Sequence, residues 1–329
     1  MNKSQNGINT QYNEPFIPQR ADPYIYKHTD GIYYFTASVP AYDRVVLRCA
    51  DSLQGLKTAE EKTLWQKRER GIMSRHIWAP ELHFIDGGWY IHFAAGEADN
   101  IWEIRPYVLK CDGPDPMEDS WSEKGQMRAA PGDHKSFTGF SLDATVFLHK
   151  GTYYLIWAEK PRDIVPPISN LYIAPLSSPT QLATLPVLLT TPTFDWETVD
   201  FAVNEGPAII KRDGRIYLTF SASATGACYC MGLMHISEDA DVMDAAAWHK
   251  LKHPVFATDA AKGIYGPGHN SFTKSTDGRD ISVYHARTYA DINGDPLYDP
   301  NRHAMLMEIA WEGGLPVFIA RTAAEQAGY

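Results

Sequence analysis

Residues Asn204–Ser223 read NEGPAIIKRDGRIYLTFSAS. A carboxylate opens the stretch, an apolar run follows, and Asp213-Gly214 supplies the two-residue signal that a type I′ turn requires. Ile216, Leu218 and Phe220 then alternate with smaller or polar residues at period two. The stretch predicts a β-hairpin with an acid at its mouth.

Four further copies of this design lie along the chain. Asp22–Ser38 reads DPYIYKHTDGIYYFTAS and Ala79–Gly96 reads APELHFIDGGWYIHFAAG. Ser141–Glu159 reads SLDATVFLHKGTYYLIWAE and Gly266–Arg287 reads GPGHNSFTKSTDGRDISVYHAR. The turn glycines Gly31, Gly88, Gly151, Gly214 and Gly278 are separated by 57, 63, 63 and 64 residues. A unit of about sixty residues holds one four-stranded sheet with its loops, so five such units predict an all-β, five-bladed β-propeller. A β-sandwich with several similar hairpins is the alternative, but it gives no reason for a constant long step. Length alone suggests two domains; the repeat argues instead for a single catalytic domain over residues 1–329.

Composition narrows the partners. Hydrophobic residues make up 44% of the chain, enough to fill cores between blades, and no segment approaches the roughly eighteen consecutive apolar residues of a membrane span. Net charge is −10 and no lysine or arginine stripe appears, which argues against nucleic acid. Met1–Glu14 has neither a basic nor an apolar leader region, so the cytoplasm is the expected location; a chain trimmed of its signal would read the same way. Cys49, Cys111, Cys228 and Cys230 show no paired framework and read as reduced core or strand residues. Between the hairpins, the charged stretch Thr58–Arg70 reads as a short surface helix or a solvated loop, and Asp239–Trp248 as an excursion between strands.

In a propeller the first strand of each blade lines the central channel. Acids near the starts of those strands therefore converge, and Asp22, Asp143 and Glu205 are the candidates. Each alone has a plainer reading: Asp22 before Pro23 as a turn residue, Asp143 as an arginine partner, Glu205 as a strand-end charge. Three at the mouth of the same element need a common reason, because clustered carboxylates repel. Paired carboxylates flanking an acetal hydrolyse glycosidic bonds, one donating a proton to the leaving oxygen and the other activating water or attacking carbon.

With RADPY at Arg20–Tyr24, WAPE at Trp78–Glu81, SLDAT at Ser141–Thr145, NEGP at Asn204–Pro207 and GPGHNS at Gly266–Ser271, the chain resembles glycoside hydrolase family 43. That family is made of five-bladed propellers that act on arabinose- and xylose-containing polysaccharides with inversion of configuration. The resemblance implies that Asp22 is the general base, Glu205 the general acid, and Asp143 the residue that tunes and orients the acid. It implies sugar contacts from Arg302 and a pocket wall at Trp78. It also implies that His269 lies in the channel beside a water-coordinated calcium or sodium ion, with no cofactor required for the chemistry. A satisfied core histidine, an arginine that closes blade five and an ordinary packed tryptophan are the plainer readings of these three.

The segments Ile101–Tyr107, Asn170–Ala174 and Tyr284–Arg287 are closest in character to the α-L-arabinofuranosidases. The expected substrate is therefore an arabinose-containing oligosaccharide or polysaccharide, cleaved from its end. A β-xylosidase or endo-arabinanase on the same scaffold, and a propeller that only binds sugars, are the alternatives. One departure is the run Ala304-Met305-Leu306-Met307-Glu308 after Arg302-His303, where a threonine and a polar strand are expected.

Overall fold

The computed structural model describes residues 14–319. Five antiparallel sheets follow one another along the chain as the five blades of a propeller. Their innermost strands are Ala21–Lys27, Arg75–Ile85, Phe140–His149, Asn204–Arg212 and Tyr265–Lys274, and each pairs with the strand that follows it. The expected turn glycines fall in or beside all five of these hairpins. At the fourth, Arg212 faces Arg215 across Asp213 and Gly214, whose φ values of 50° and 74° fit the mirror-image turn that the dipeptide signals.

The four-stranded plan holds for blades one, two and four; blade three carries a fifth strand and blade five has three. Blade five is completed from the other end of the chain. The Phe16 and Ile17 amides donate to the Ala304 carbonyl at 2.8 and 3.2 Å, and the Ala304 amide donates to the Ile17 carbonyl at 3.0 Å. Residues 16–17 thus lie against the outer strand of the last blade and close the ring.

Five hydrophobic clusters fill the interfaces between successive blades. A blade is packed on both faces, so strands that alternate in sequence are buried throughout. Ile216, Leu218 and Phe220 face blade three, while Tyr217 faces blade five. This explains the unexpected apolar run after Arg302. In the strand His303–Glu308, Ala304 and Leu306 enter the core shared with blade one, and Met305 and Met307 enter the core shared with blade four.

The charged stretch Thr58–Arg70 is neither a helix nor a wholly solvated loop. One helical turn precedes it at Leu53–Leu56, and Lys62–Gln66 forms the outer strand of blade one. Leu64 and Trp65 pack against the cluster between blades one and two, and the Trp65 indole donates to Glu123 at 2.8 Å. Packing against blade two outweighs the polar character of the stretch. Asp239–Trp248 is an excursion with one 3₁₀ turn at Ala245–Ala247. All four cysteines are free thiols.

The feature that positions the functional groups recurs once per blade. At the mouth of each inner strand a left-handed residue holds the equivalent position: Asp22, Ala79, Asp143, Gly206 and His269 have φ between 42° and 55°, and blades two and five carry a second such residue, His76 and Gly266. Each sits where the register with the second strand slips. A bulge of this kind re-aims a side chain out of the ladder, here toward the propeller axis.

Ile17 is 2% exposed within the core between blades five and one. Ile17→Ala is expected to destabilise the protein by about 2–4 kcal/mol through the cavity it leaves, measured as a shift of the denaturant midpoint. A change near zero would mean that closure of the ring does not depend on this segment.

Candidate active site

The left-handed residues are tied blade to blade. Ser38 Oγ, at the end of the second strand of blade one, accepts from the Ala79 amide of blade two at 2.7 Å. The Gly206 amide of blade four donates to Asp143 Oδ2 of blade three at 3.0 Å, and the His269 amide of blade five donates to Ser221 Oγ of blade four at 2.7 Å. The Asp22 amide donates to His285 Nδ1 of blade five at 3.1 Å. Gly206 meets two demands at once: its φ is 54°, and a Cβ there would lie 3.1 Å from the His269 ring.

Asp22 and Asp143 occupy equivalent positions in their blades, whereas Glu205 comes one residue before the equivalent position, held by Gly206. All three line one cavity of about 740 Å³ at the end of the propeller axis, with Trp78, His269 and Arg302. The six residues singled out in the sequence therefore meet in one place, drawn from all five blades and the segment before the last strand of blade five.

Asp22 has three donors beside it. Ser38 Oγ donates to its Oδ2 at 2.6 Å, and His269 Nδ1 and Arg302 Nη1 lie 3.3 and 3.4 Å from its Oδ1; His285 Nδ1, which accepts the Asp22 amide, lies 3.2 Å from the same oxygen. Burial alone would push this carboxyl up, but the charges of His269 and Arg302 and the contact with His285 hold it far below the usual carboxylate range. Asp22 is an anion at any working pH.

Asp143 shows the reverse behaviour. Burial, reinforced by the charges of Glu205 and Asp22, pushes its carboxyl up to about 8 against the pull of His269. Asp143 therefore keeps a proton near neutral pH. The resemblance casts Asp143 as a negative neighbour of the acid; in the structure Asp143 itself is where that proton is favoured.

His269 stands between the acids, its Nδ1 3.3 Å from Asp22 and 3.8 Å from Asp143. Burial would lower its pKa, but Asp143 and Asp22, with Glu205 and Glu81, raise it above the ordinary value. A ring whose Nδ1 points at two carboxylates and favours the imidazolium is poorly suited to ligate a metal. Among the described residues no group of three or more His, Cys, Asp or Glu side chains is arranged to hold one. The water-coordinated ion expected beside His269 thus finds no ligand group among the described residues.

Arg302 gives Nη2 to the Tyr42 hydroxyl at 2.7 Å, and its buried Nε has no partner among the described residues. The buried Trp78 Nε1 is also unpartnered, while the Trp78 ring stacks on His76 at 4.3 Å between centroids. Both residues line the cavity, although these two nitrogens are themselves buried.

Four contributors were not visible in the repeats. Ser38 and His285 lie on second strands, and Tyr229, whose hydroxyl donates to Glu205 Oε1 at 2.8 Å, precedes a third strand. Glu81 was quoted only as part of a motif. It is buried below the site, pushed up to about 8 by burial, and bonded to His83 Nε2 at 3.0 Å. Burial pushes the His83 imidazole down to about 3, so the contact is a neutral hydrogen bond.

The model of the family "Glycosyl hydrolases family 43" matches residues 12–316. The chain belongs to that family. It is 51% identical over 309 residues to the "Extracellular exo-alpha-(1->5)-L-arabinofuranosidase" of Streptomyces avermitilis, covering 93% of this chain and 63% of the relative. The Streptomyces chartreusis protein of the same name is 48% identical over 289 residues, covering 87% and 85%. A solved α-L-arabinofuranosidase from Lactobacillus brevis superposes with a TM-score of 0.87 at 50% identity, covering 93% of this chain and 95% of the other. The chain spans about two thirds or less of some curated relatives, 63% for the S. avermitilis protein.

These names correct the cytoplasmic location expected from Met1–Glu14, since both Streptomyces relatives are called extracellular. Met1–Asn13 lies outside the described residues. Free thiols do not decide the compartment, because a propeller with five interblade cores does not need disulfides to be stable.

Asp143→Asn removes the carboxyl that holds its proton up to about 8. The alkaline limb of kcat/KM should lie near 8 in the unaltered protein and fall by about 1 pH unit or more in the variant, because the group that loses its proton there is gone. An unmoved limb in a pH-rate profile would mean that Asp143 does not set it.

Proposed function

We propose that the protein is an exo-acting α-L-arabinofuranosidase that releases L-arabinose from arabinan or arabino-oligosaccharides with inversion of configuration. One observation carries the reading: Asp22, ringed by His269 and Arg302, stays ionised, while Asp143 retains a proton on the same cavity wall that carries Glu205. These are the two protonation states that acetal hydrolysis needs from two carboxyl groups.

Asp22 takes a proton from water as the water oxygen bonds to the anomeric carbon. The bond from that carbon to the glycosidic oxygen breaks, and Glu205 gives its proton to the departing oxygen. The low basicity of Asp22 suits a late transfer, when the attacking oxygen has already lost electron density to carbon. His269 and Arg302 hold Asp22 in place and keep it charged, and Asp143, which accepts the amide of Gly206 next to Glu205, is the proton-bearing carboxyl that can reprotonate Glu205 after it has donated. These side chains supply every proton movement, so no cofactor enters the scheme. Trp78 and Arg302 line the cavity that would hold the sugar.

The choice of arabinose rests on the relatives' names and on the α-L-arabinofuranosidase from Lactobacillus brevis. Hydrolysis rates on an aryl arabinofuranoside, an aryl xyloside and linear arabinan separate this reading from a β-xylosidase or an endo-arabinanase. A general acid matters in proportion to the leaving oxygen's need for a proton, whereas water must be activated for every substrate. Glu205→Ala should therefore lose about 10²–10⁴-fold on an alkyl arabinofuranoside and far less on a dinitrophenyl one. Asp22→Ala should lose both alike. Rescue by the dinitrophenyl group in Asp22→Ala, but not in Glu205→Ala, would exchange the two roles.

A further inference from the structure

Among the described residues, Tyr229 is the one side chain whose hydroxyl donates to Glu205, and acetal hydrolysis by Asp22 and Glu205 gives that hydroxyl no task. The phenol is 1% exposed, and its O–H donates to Glu205 Oε1 at 2.8 Å. Burial first, then the charges of Glu205 and Asp143, hold it well above its ordinary pKa, so it remains a donor throughout the working range.

Much of the surrounding structure keeps this ring in place. It stacks on the His285 imidazole with centroids 5.5 Å apart and planes 8° from parallel, and His285 contacts the amide of Asp22. The other side of the ring lies over Gly268, where a Cβ would come within 2.3 Å of Tyr229 Cε1. The segment that carries Tyr229 is anchored by blade five. Arg287 Nη1 donates to the Thr225 carbonyl at 2.9 Å and Thr258 Oγ1 to the Ala227 carbonyl at 2.5 Å. A Cβ on Gly266 would strike the Gly226 carbonyl oxygen at 2.3 Å. The two glycines of Gly266-Pro267-Gly268 thus make room for one loop and one aromatic ring.

We propose that Tyr229 is a positioning residue for proton donation: its hydroxyl occupies Oε1 of Glu205, leaves the transferable proton to Oε2, and stabilises the carboxylate that forms as that proton departs. The inference rests on the reading of Glu205 as the proton donor. A hydrogen bond to a neutral carboxyl strengthens when the group becomes an anion, so it lowers the barrier more than it favours the bound ground state. The His285 stack gives the same ring a second consequence. It joins the support of Glu205 to the support of Asp22, so the spacing of donor and base is set through Tyr229 and His285.

Tyr229→Phe keeps the ring, the stack and the fit over Gly268 while removing only the donor. With folding checked by circular dichroism and thermal melting, kcat on an alkyl arabinofuranoside should fall about 10- to 100-fold. KM should stay unchanged, and kcat on a dinitrophenyl arabinofuranoside should change little. A purely structural role would lower both substrates equally. Equal losses, no loss, or a change confined to KM would each overturn the proposal. Glu205→Ala, run on the same pair, separates the two levels. If it shows the leaving-group dependence and Tyr229→Phe does not, only the role of Tyr229 fails. If Glu205→Ala shows none, Glu205 is not the donor and both fall.

Discussion

The site depends on a ring of left-handed residues, one at the equivalent position of each inner strand, held by hydrogen bonds that cross from blade to blade. For Asp22, Ala79, Asp143 and His269 this backbone conformation is unfavourable by about 1–2 kcal/mol each. No single blade could keep it. Ser38 illustrates the coupling: one hydroxyl accepts the Ala79 amide of the next blade and donates to the Asp22 carboxylate of its own. Closure of the ring by Phe16 and Ile17 on Ala304 completes the circuit, so the geometry of the acids belongs to the whole propeller.

That ring concentrates negative charge, and the distribution of counter-charge makes the acids chemically different. Asp22 receives His269, Arg302, Ser38 and His285 within 3.4 Å and remains ionised. Asp143 is buried, has one backbone donor at 3.0 Å, and shares His269 at a longer distance, so its carboxyl retains a proton. Residues of the same type at equivalent positions thus reach opposite protonation states through their neighbours alone. Glu81, in the inner strand of blade two, repeats the neutral state.

The parts of this arrangement that repeat were legible in the sequence. Aspartate-glycine turns and their near-constant step predicted the blades, and Asp22 and Asp143 could be aligned because they hold the same place in two units. Glu205 was found by proximity, since the equivalent position in its blade requires a glycine beside His269. Tyr229, His285 and Ser38 escaped because they act from second strands or loops, where the units differ. Thr58–Arg70 was misread because its outer strand is stabilised by Trp65 reaching across to Glu123 in another blade, a contact that local polarity does not announce. The location was misjudged for a different reason: a leader is a property of the chain's beginning, and the propeller carries no trace of it.

An anion and a proton-bearing carboxyl on one cavity serve retaining and inverting hydrolysis alike; the proposed role of Asp22 as a base requires that water attack from the face opposite the leaving group. The anomer released first reports this directly. Proton NMR of arabinose in the first moments of hydrolysis of an α-L-arabinofuranoside, before mutarotation, should show the β anomer. Initial release of the α anomer would mean a covalent intermediate and would contradict the assignment of Asp22 as a base acting through water.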